Sequence, residues 1–134
     1  MDERVEQVAT AIARTLADRP TLCELASASS GVLERNISVP VAATFKRAAL
    51  ANTDALGSLV REFVPELAEP AAQRFAGAAV LVAGSLWAAT QPSAAMLAAY
   101  EADCALAAMR LDFSTGVREL LATLLTGFLA RPAG

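Results

Sequence analysis

Residues Phe75 to Tyr100 read FAGAAVLVAGSLWAATQPSAAMLAAY, and not one of them is charged. From Ala76 to Ala89 the stretch is apolar or small on every helical face, and a helix apolar all round is expected to be buried all round. A chain of 134 residues has one core. It can cover one side of such a helix but not every side. The remaining surface calls for a cover, either a second copy of the same chain or an apolar ligand.

The rest of the composition agrees with a packed helical domain. Hydrophobic residues make up 55% and charged residues 19%, against roughly 45–50% and ~25% in ordinary soluble domains. The excess is mostly alanine and leucine, the strongest helix formers. No segment alternates apolar and polar residues with the period of two that marks a half-buried strand. The sequence therefore predicts an all-α single domain over residues 1–134, a bundle of about six helices joined by short links. The net charge is −3 and the pI about 4.9, which argues against a nucleic-acid surface, because phosphate binding needs clustered Lys and Arg. Lys46-Arg47 is the densest basic pair. Gln91, Pro92 and Ser93 interrupt the uncharged stretch, so the apolar run falls short of the ~20 residues a membrane span needs. No secretory signal opens the chain. No membrane association and a cytoplasmic location are expected. Cys23 and Cys104 are too few for a disulfide framework and are expected to be small core residues.

Periodicity places the helices. Val5, Val8, Ile12 and Leu16 share one face of a first helix from Asp2, its cap, to about Arg19. Pro20 suits the first turn of a second helix, with Leu22, Leu25, Ser29, Val32 and Leu33 on one side and an end near Asn36. Ser38 caps a third helix whose stripe is Phe45, Ala49, Asn52, Leu56, Leu59 and Phe63, and Pro65 ends it. The fourth runs from about Pro70 to Thr90. Along it Gly77, Leu81, Gly84 and Ala88 make a narrow small-residue stripe that invites another helix. A short fifth helix carries Met96, Leu97 and Tyr100. Asp112 caps the last, which runs to Arg131.

Chemistry is sparse. The chain contains no histidine, so neither a Ser–His–Asp triad nor a Cys–His pair can be built. The two cysteines lack metal-ligand spacing, and the glycines fit no phosphate-binding loop. The acidic pairs Glu62/Glu66 and Glu101/Asp103 lie on polar segments and read as solvated faces. No catalytic residue, metal ligand or cofactor is expected. What stands out is polar groups on apolar faces. The plain interpretation is that each serine bonds its own helix and Trp87 finds one acceptor. The sharper one is an apolar pocket with a few convergent polar groups between the second, third and fourth helices. Leu25, Ser29, Val32, Phe45, Asn52, Leu56, Val80, Trp87 and Met96 are its candidate lining. The last helix has two apolar faces. Phe113, Val117, Leu120 and Leu124 are assigned to its own core. That leaves Leu121, Leu125 and Phe128, with the Gly77–Leu81–Gly84–Ala88 stripe, for a twofold homodimer.

The run Val32-Leu33-Glu34-Arg35-Asn36-Ile37-Ser38, followed by Phe45-Lys46, resembles a segment of one branch of the tetracycline-repressor (TetR) family, in its C-terminal ligand-binding and dimerising domain. Arg19-Pro20 with Leu22 and Leu25, Gly84-Ser85-Leu86-Trp87 leading to Pro92, and Asp112-Phe113 are similar to that branch too. The resemblance covers about Val5 to Leu129. It implies a homodimeric all-helical sensor with a small effector between its helices, dimerising through the last two long helices. It also implies DNA contact only through an N-terminal helix-turn-helix domain, which this sequence lacks; residues 2–19 resemble the end of the connecting helix. The effector is expected to be neutral or apolar. The other class that fits is a stand-alone helical homodimer with a protein-interaction role and no ligand.

Overall fold

The computed structural model describes residues 2–29 and 35–131, with the side chain of Ser29 left aside. Among these residues there are seven helices and no strand: α1 (Glu3–Ala17), α2 (Pro20–Ser29), α3 (Val39–Phe63), α4 (Glu69–Ala89), α5 (Ala94–Ala102), α6 (Cys104–Ala107) and α7 (Phe113–Ala130). The one helix beyond the expected six is α6, a single turn started by Asp103, whose carboxylate accepts from the Ala105 amide at 2.9 Å. The expected caps form elsewhere as well. Asp2 accepts from the Arg4 amide at 2.9 Å and Asp112 from the Thr115 amide at 3.0 Å, each satisfying an amide that the first turn leaves without a partner. Ser38 stands at the N-cap of α3, but its side chain makes no capping bond.

Helix α4 is the hub. It packs against α2, α3 and α7, while α1 packs chiefly along α7 and α5 touches mainly α6. Two edge-to-face ring pairs fix α4 antiparallel to α7. Phe75 meets Phe128 at 6.5 Å near one end, and Trp87 meets Phe113 at 5.3 Å near the other. The core gathers Val5, Ala9 and Ala13 of α1, Val60 and Val64 at the end of α3, Phe75 and Ala79 of α4, and Val117, Leu121 and Leu125 of α7. At the base of the bundle Arg4 ties the start of α1 to the α3–α4 link. Its guanidinium donates to Glu66 Oε1 at 2.9 Å and to Asp2 Oδ2 at 2.7 Å. The side-chain hydrogen bonds from Arg4 hold both carboxyls below their ordinary pKa.

Glycines set two of the helix crossings. A Cβ on Gly84 would stand 2.8 Å from the Ala26 carbonyl oxygen, so α4 lies directly on the backbone of α2. A Cβ on Gly57 would meet the Ala72 backbone at 3.3 Å, which brings α3 close to α4. With Gly57 against α4, α3 is turned relative to its expected stripe. Gly57 and Val60 are its buried residues, Asn52 is exposed, and Leu59 and Phe63 are 54% and 61% exposed. On α2 the hidden residue is Cys23, not Leu22 or Leu25. Its thiol donates to the Leu16 carbonyl at 3.3 Å, and burial pushes its pKa up. Cys104, expected in the core, is exposed.

Among the described residues no single helix is long and apolar enough to cross a membrane. The pair α4 and α5 passes by length and composition only together, bent by 72° at the break around Pro92.

Candidate functional site

Two apolar features lie outside the core, a groove on one side of the bundle and a strip along α4 and α7. The groove has a volume of about 420 Å³, within the range of small-molecule sites. Helix α1 supplies Val8, Ala11, Ile12, Thr15 and Leu16, and α3 supplies Leu56, Leu59, Val60 and Phe63. Leu22 closes it from α2. These are consecutive turns of two helices, which is why the lining recurs every three or four residues. None of these side chains is charged. Thr15 carries the one polar side-chain group, and it already donates to the Ala11 carbonyl at 2.8 Å.

The described candidates for a pocket between α2, α3 and α4 do not line one groove together. Of them Leu56 alone lines the groove. Val32 and the side chain of Ser29 fall outside the described residues. Leu25, Val80 and Met96 are 56%, 48% and 47% exposed. Asn52 faces solvent and Phe45 is partly covered. Trp87 has a structural engagement: its indole N–H donates to Glu24 Oε1 at 2.8 Å, tying α4 to α2, and its ring rests on Phe113.

The shared face expected for Val5, Val8, Ile12 and Leu16 is present: Val5 and Val8 are buried in the core, with Ile12 and Leu16 packed against it. Ala9 and Ala13 are hidden beside them, and Val8, Ile12 and Leu16 also line the groove, from which no candidate on α1 had been expected. The one available signal was that α1 carries two apolar rows, alanine in one and branched residues in the other.

The facing of α7 agrees with expectation in part: Val117 is buried, with Phe113 and Leu124 packed against the core. Leu121 and Leu125, assigned to a partner, are fully buried in the chain's own core, and Phe128 is partly buried against Phe75. Leu120, assigned to the core, is 45% exposed. The cause is the antiparallel packing of α7 on α4 and α1, which turns Val117, Leu121 and Leu125 inward. On α4 the small-residue stripe divides. Gly84 is taken up by α2, whereas a Cβ on Gly77 would meet nothing within 4 Å, Leu81 is 64% exposed and Ala88 faces solvent. Helices α4 and α7 thus lie side by side, each with an uncharged exposed strip: Leu81, Ser85 and Ala88 on one, beside the partly covered Gly77, and Leu120, Thr123 and Gly127 on the other.

A second, polar recess of about 170 Å³ lies between α3 and α4 near Asp54, Arg61 and Gln73. Its groups are engaged with one another or with backbone: Gln73 donates to Asp54 Oδ1 at 2.6 Å and Arg61 to the Leu67 carbonyl at 3.0 Å.

No curated protein matches the sequence. A family model does, the one described as tetracyclin repressor-like, C-terminal domain, over residues 1–132. The match spans nearly the whole sequence and agrees with the all-helical fold, and this chain belongs to the family of tetracyclin repressor-like C-terminal domains.

Proposed function

We propose that the chain is the effector-sensing and homodimerisation domain of a TetR-type transcriptional regulator, acting in the cytoplasm on a small neutral or apolar molecule and having no enzymatic role. The observation that carries this is the pair of uncharged, exposed strips on α4 and α7. Leu81 and Leu120 are 64% and 45% exposed on helices that pack side by side. Exposed apolar surface on adjoining helices is the kind of surface that marks an interaction site. A second copy covers both strips at once, because an isologous pairing needs one self-complementary patch and closes after two chains. The apolar groove supports the sensing half of the proposal. Any contact with DNA is assigned to an N-terminal helix-turn-helix domain and not to these helices.

Sedimentation at micromolar concentration tests the dimer. The unmutated chain should run as a dimer that buries on the order of 2,000 Å² or more. Leu120→Glu should run as a folded monomer. A well-folded monomeric parent would remove the dimerisation role. For the sensing half, a ligand at one hundred times its dissociation constant should stabilise the fold by about 2.7 kcal/mol. A broad thermal-shift screen without a hit would favour the stand-alone homodimer with a protein-interaction role.

A further inference from the structure

We propose that the groove between α1, α2 and α3 seats a neutral, elongated aliphatic molecule of about fourteen non-hydrogen atoms, with any charged group left outside; this rests on the sensing role proposed above. Three properties of the groove select that occupant.

The first is size. About 420 Å³, at the ~30 Å³ that one water takes up in the liquid, corresponds to about fourteen heavy atoms. A helix with side chains is about 10–12 Å across and rises 1.5 Å per residue. The same space therefore holds about three helical residues, less than one turn. A stable protein partner needs about 20–30 residues on each side, far more than the ten that line this groove.

Shape comes next. The lining runs along α1 from Val8 to Leu16 and along α3 from Leu56 to Phe63. At 1.5 Å per residue that is a trough about 11–12 Å long, which suits a chain better than a compact ring.

Polarity is the third property. No lining side chain is charged, and the Thr15 hydroxyl already has its acceptor within α1. An inserted peptide would bring amides and carbonyls with almost nothing to meet them, and an ionised group would lose its water without compensation. An aliphatic chain brings no such demand. Val8 and Val60 form the floor, and Leu22, Leu59 and Phe63, each about half exposed, form a rim that can close over the chain.

The test uses the whole chain with N-phenyl-1-naphthylamine, a neutral apolar fluorophore that can seat in the open trough with one ring left outside, and three ten-carbon competitors of the proposed shape, which are also tested alone for thermal stabilisation: 1-decanol, decanoate and protonated decylamine. The fluorophore should brighten on binding. 1-Decanol should displace it at concentrations at least tenfold lower than either charged compound. Ala11→Phe, at an exposed position in the trough, should plug the groove. Leu59→Asp should place a charge on its rim. Each should weaken fluorophore binding at least tenfold while the melting curve and the sedimentation of the chain stay close to the parent's. Equal competition by the charged compounds would overturn the ligand class. Undiminished binding by both variants would overturn the location. If nothing in the series binds the parent, the proposal falls, while an effector found elsewhere by the broad screen would leave the sensing role standing.

Discussion

Gly84 and Gly77 look interchangeable in the sequence, seven residues apart on one helix, and the structure predicts opposite responses to the same substitution. A Cβ at residue 84 would lie 2.8 Å from the Ala26 oxygen, 3.0 Å from its carbonyl carbon and 3.2 Å from the Ser27 nitrogen. Ordinary contact starts at 3.4 Å, so α2 must withdraw by about 0.6 Å. All three atoms are backbone, and no side-chain rotation relieves them. Overpacking of this kind costs about 1–3 kcal/mol, and the rigid contact puts Gly84→Ala toward the upper end. Alanine returns about 1 kcal/mol of helix preference. The expected net loss is about 1–2 kcal/mol. With unfolding entropy near 2.1 cal/mol/K per residue, that lowers Tm by about 4–7 °C for a chain of 134 residues. At residue 77 a Cβ meets nothing within 4 Å, so Gly77→Ala keeps the helix preference within the chain and gains up to about 1 kcal/mol. The assay is a pair of circular-dichroism melts at one fixed protein concentration. Trp87 provides a second signal: it is the only tryptophan, and its hydrogen bond to Glu24 spans the α2–α4 seam. Gly84→Ala should shift its emission, and Gly77→Ala should not. A Gly84→Ala protein that melts at or above the parent with unchanged emission would refute the close approach of α2 to α4.

The other predictions concern the core, the acid limit, the thiols and the exposed link before α7. Leu121→Ala should cost about 2–5 kcal/mol, because Leu121 is fully buried and its loss leaves a cavity; a loss under 1 kcal/mol by urea melts would contradict the facing given to α7. The carboxyls of Asp2, Glu66 and Asp112 are lowered from ordinary values of 3.8 to 4.5. Their contribution is thus complete above about pH 4.5 and is lost as pH falls through their lowered folded values. Tm should therefore decline below about pH 4.5 and, with no histidine in the chain, change little between pH 6 and 8; a midpoint transition near pH 6.5 would show a coupling that this assignment lacks. A thiol reagent should modify exposed Cys104 quickly and buried Cys23 only on unfolding, as counted by mass spectrometry before and after denaturant. Trypsin should cut first after Arg110, exposed between α6 and α7; first cleavage within α4 or α7 would contradict the packing.

The helices themselves were legible because local signals and tertiary structure agree. Asp2 and Asp112 announce the starts of α1 and α7, and Pro65 the end of α3. The central place of α4 was legible from the uncharged run that begins at Phe75 and makes up most of the helix. Facing was less legible, because periodicity locates a stripe but cannot rank two apolar stripes on one helix. On α7, Leu120 and Leu121 are adjacent leucines with opposite fates, and the choice is made by how α4 and α1 flank the helix. On α3 the decisive residue was a small one, Gly57, whose contribution is close backbone approach to α4, which hydrophobicity does not register. The groove was missed because no candidate was taken from α1, although Val8, Ile12 and Leu16 line it with Leu56.

The contact between Gly84 and Ala26 has an evolutionary consequence. Every single-codon change at residue 84 that alters the amino acid introduces a Cβ against a main chain only 2.8 Å away, so no conservative replacement exists there. At residue 77 no such intramolecular barrier stands, and within the monomer drift to alanine or serine is free. Among descendants of this sequence, constancy at position 84 would record the architecture of one subunit, whatever molecule it senses. Constancy at position 77 would need a different guardian, and the surface of a second subunit is the natural one.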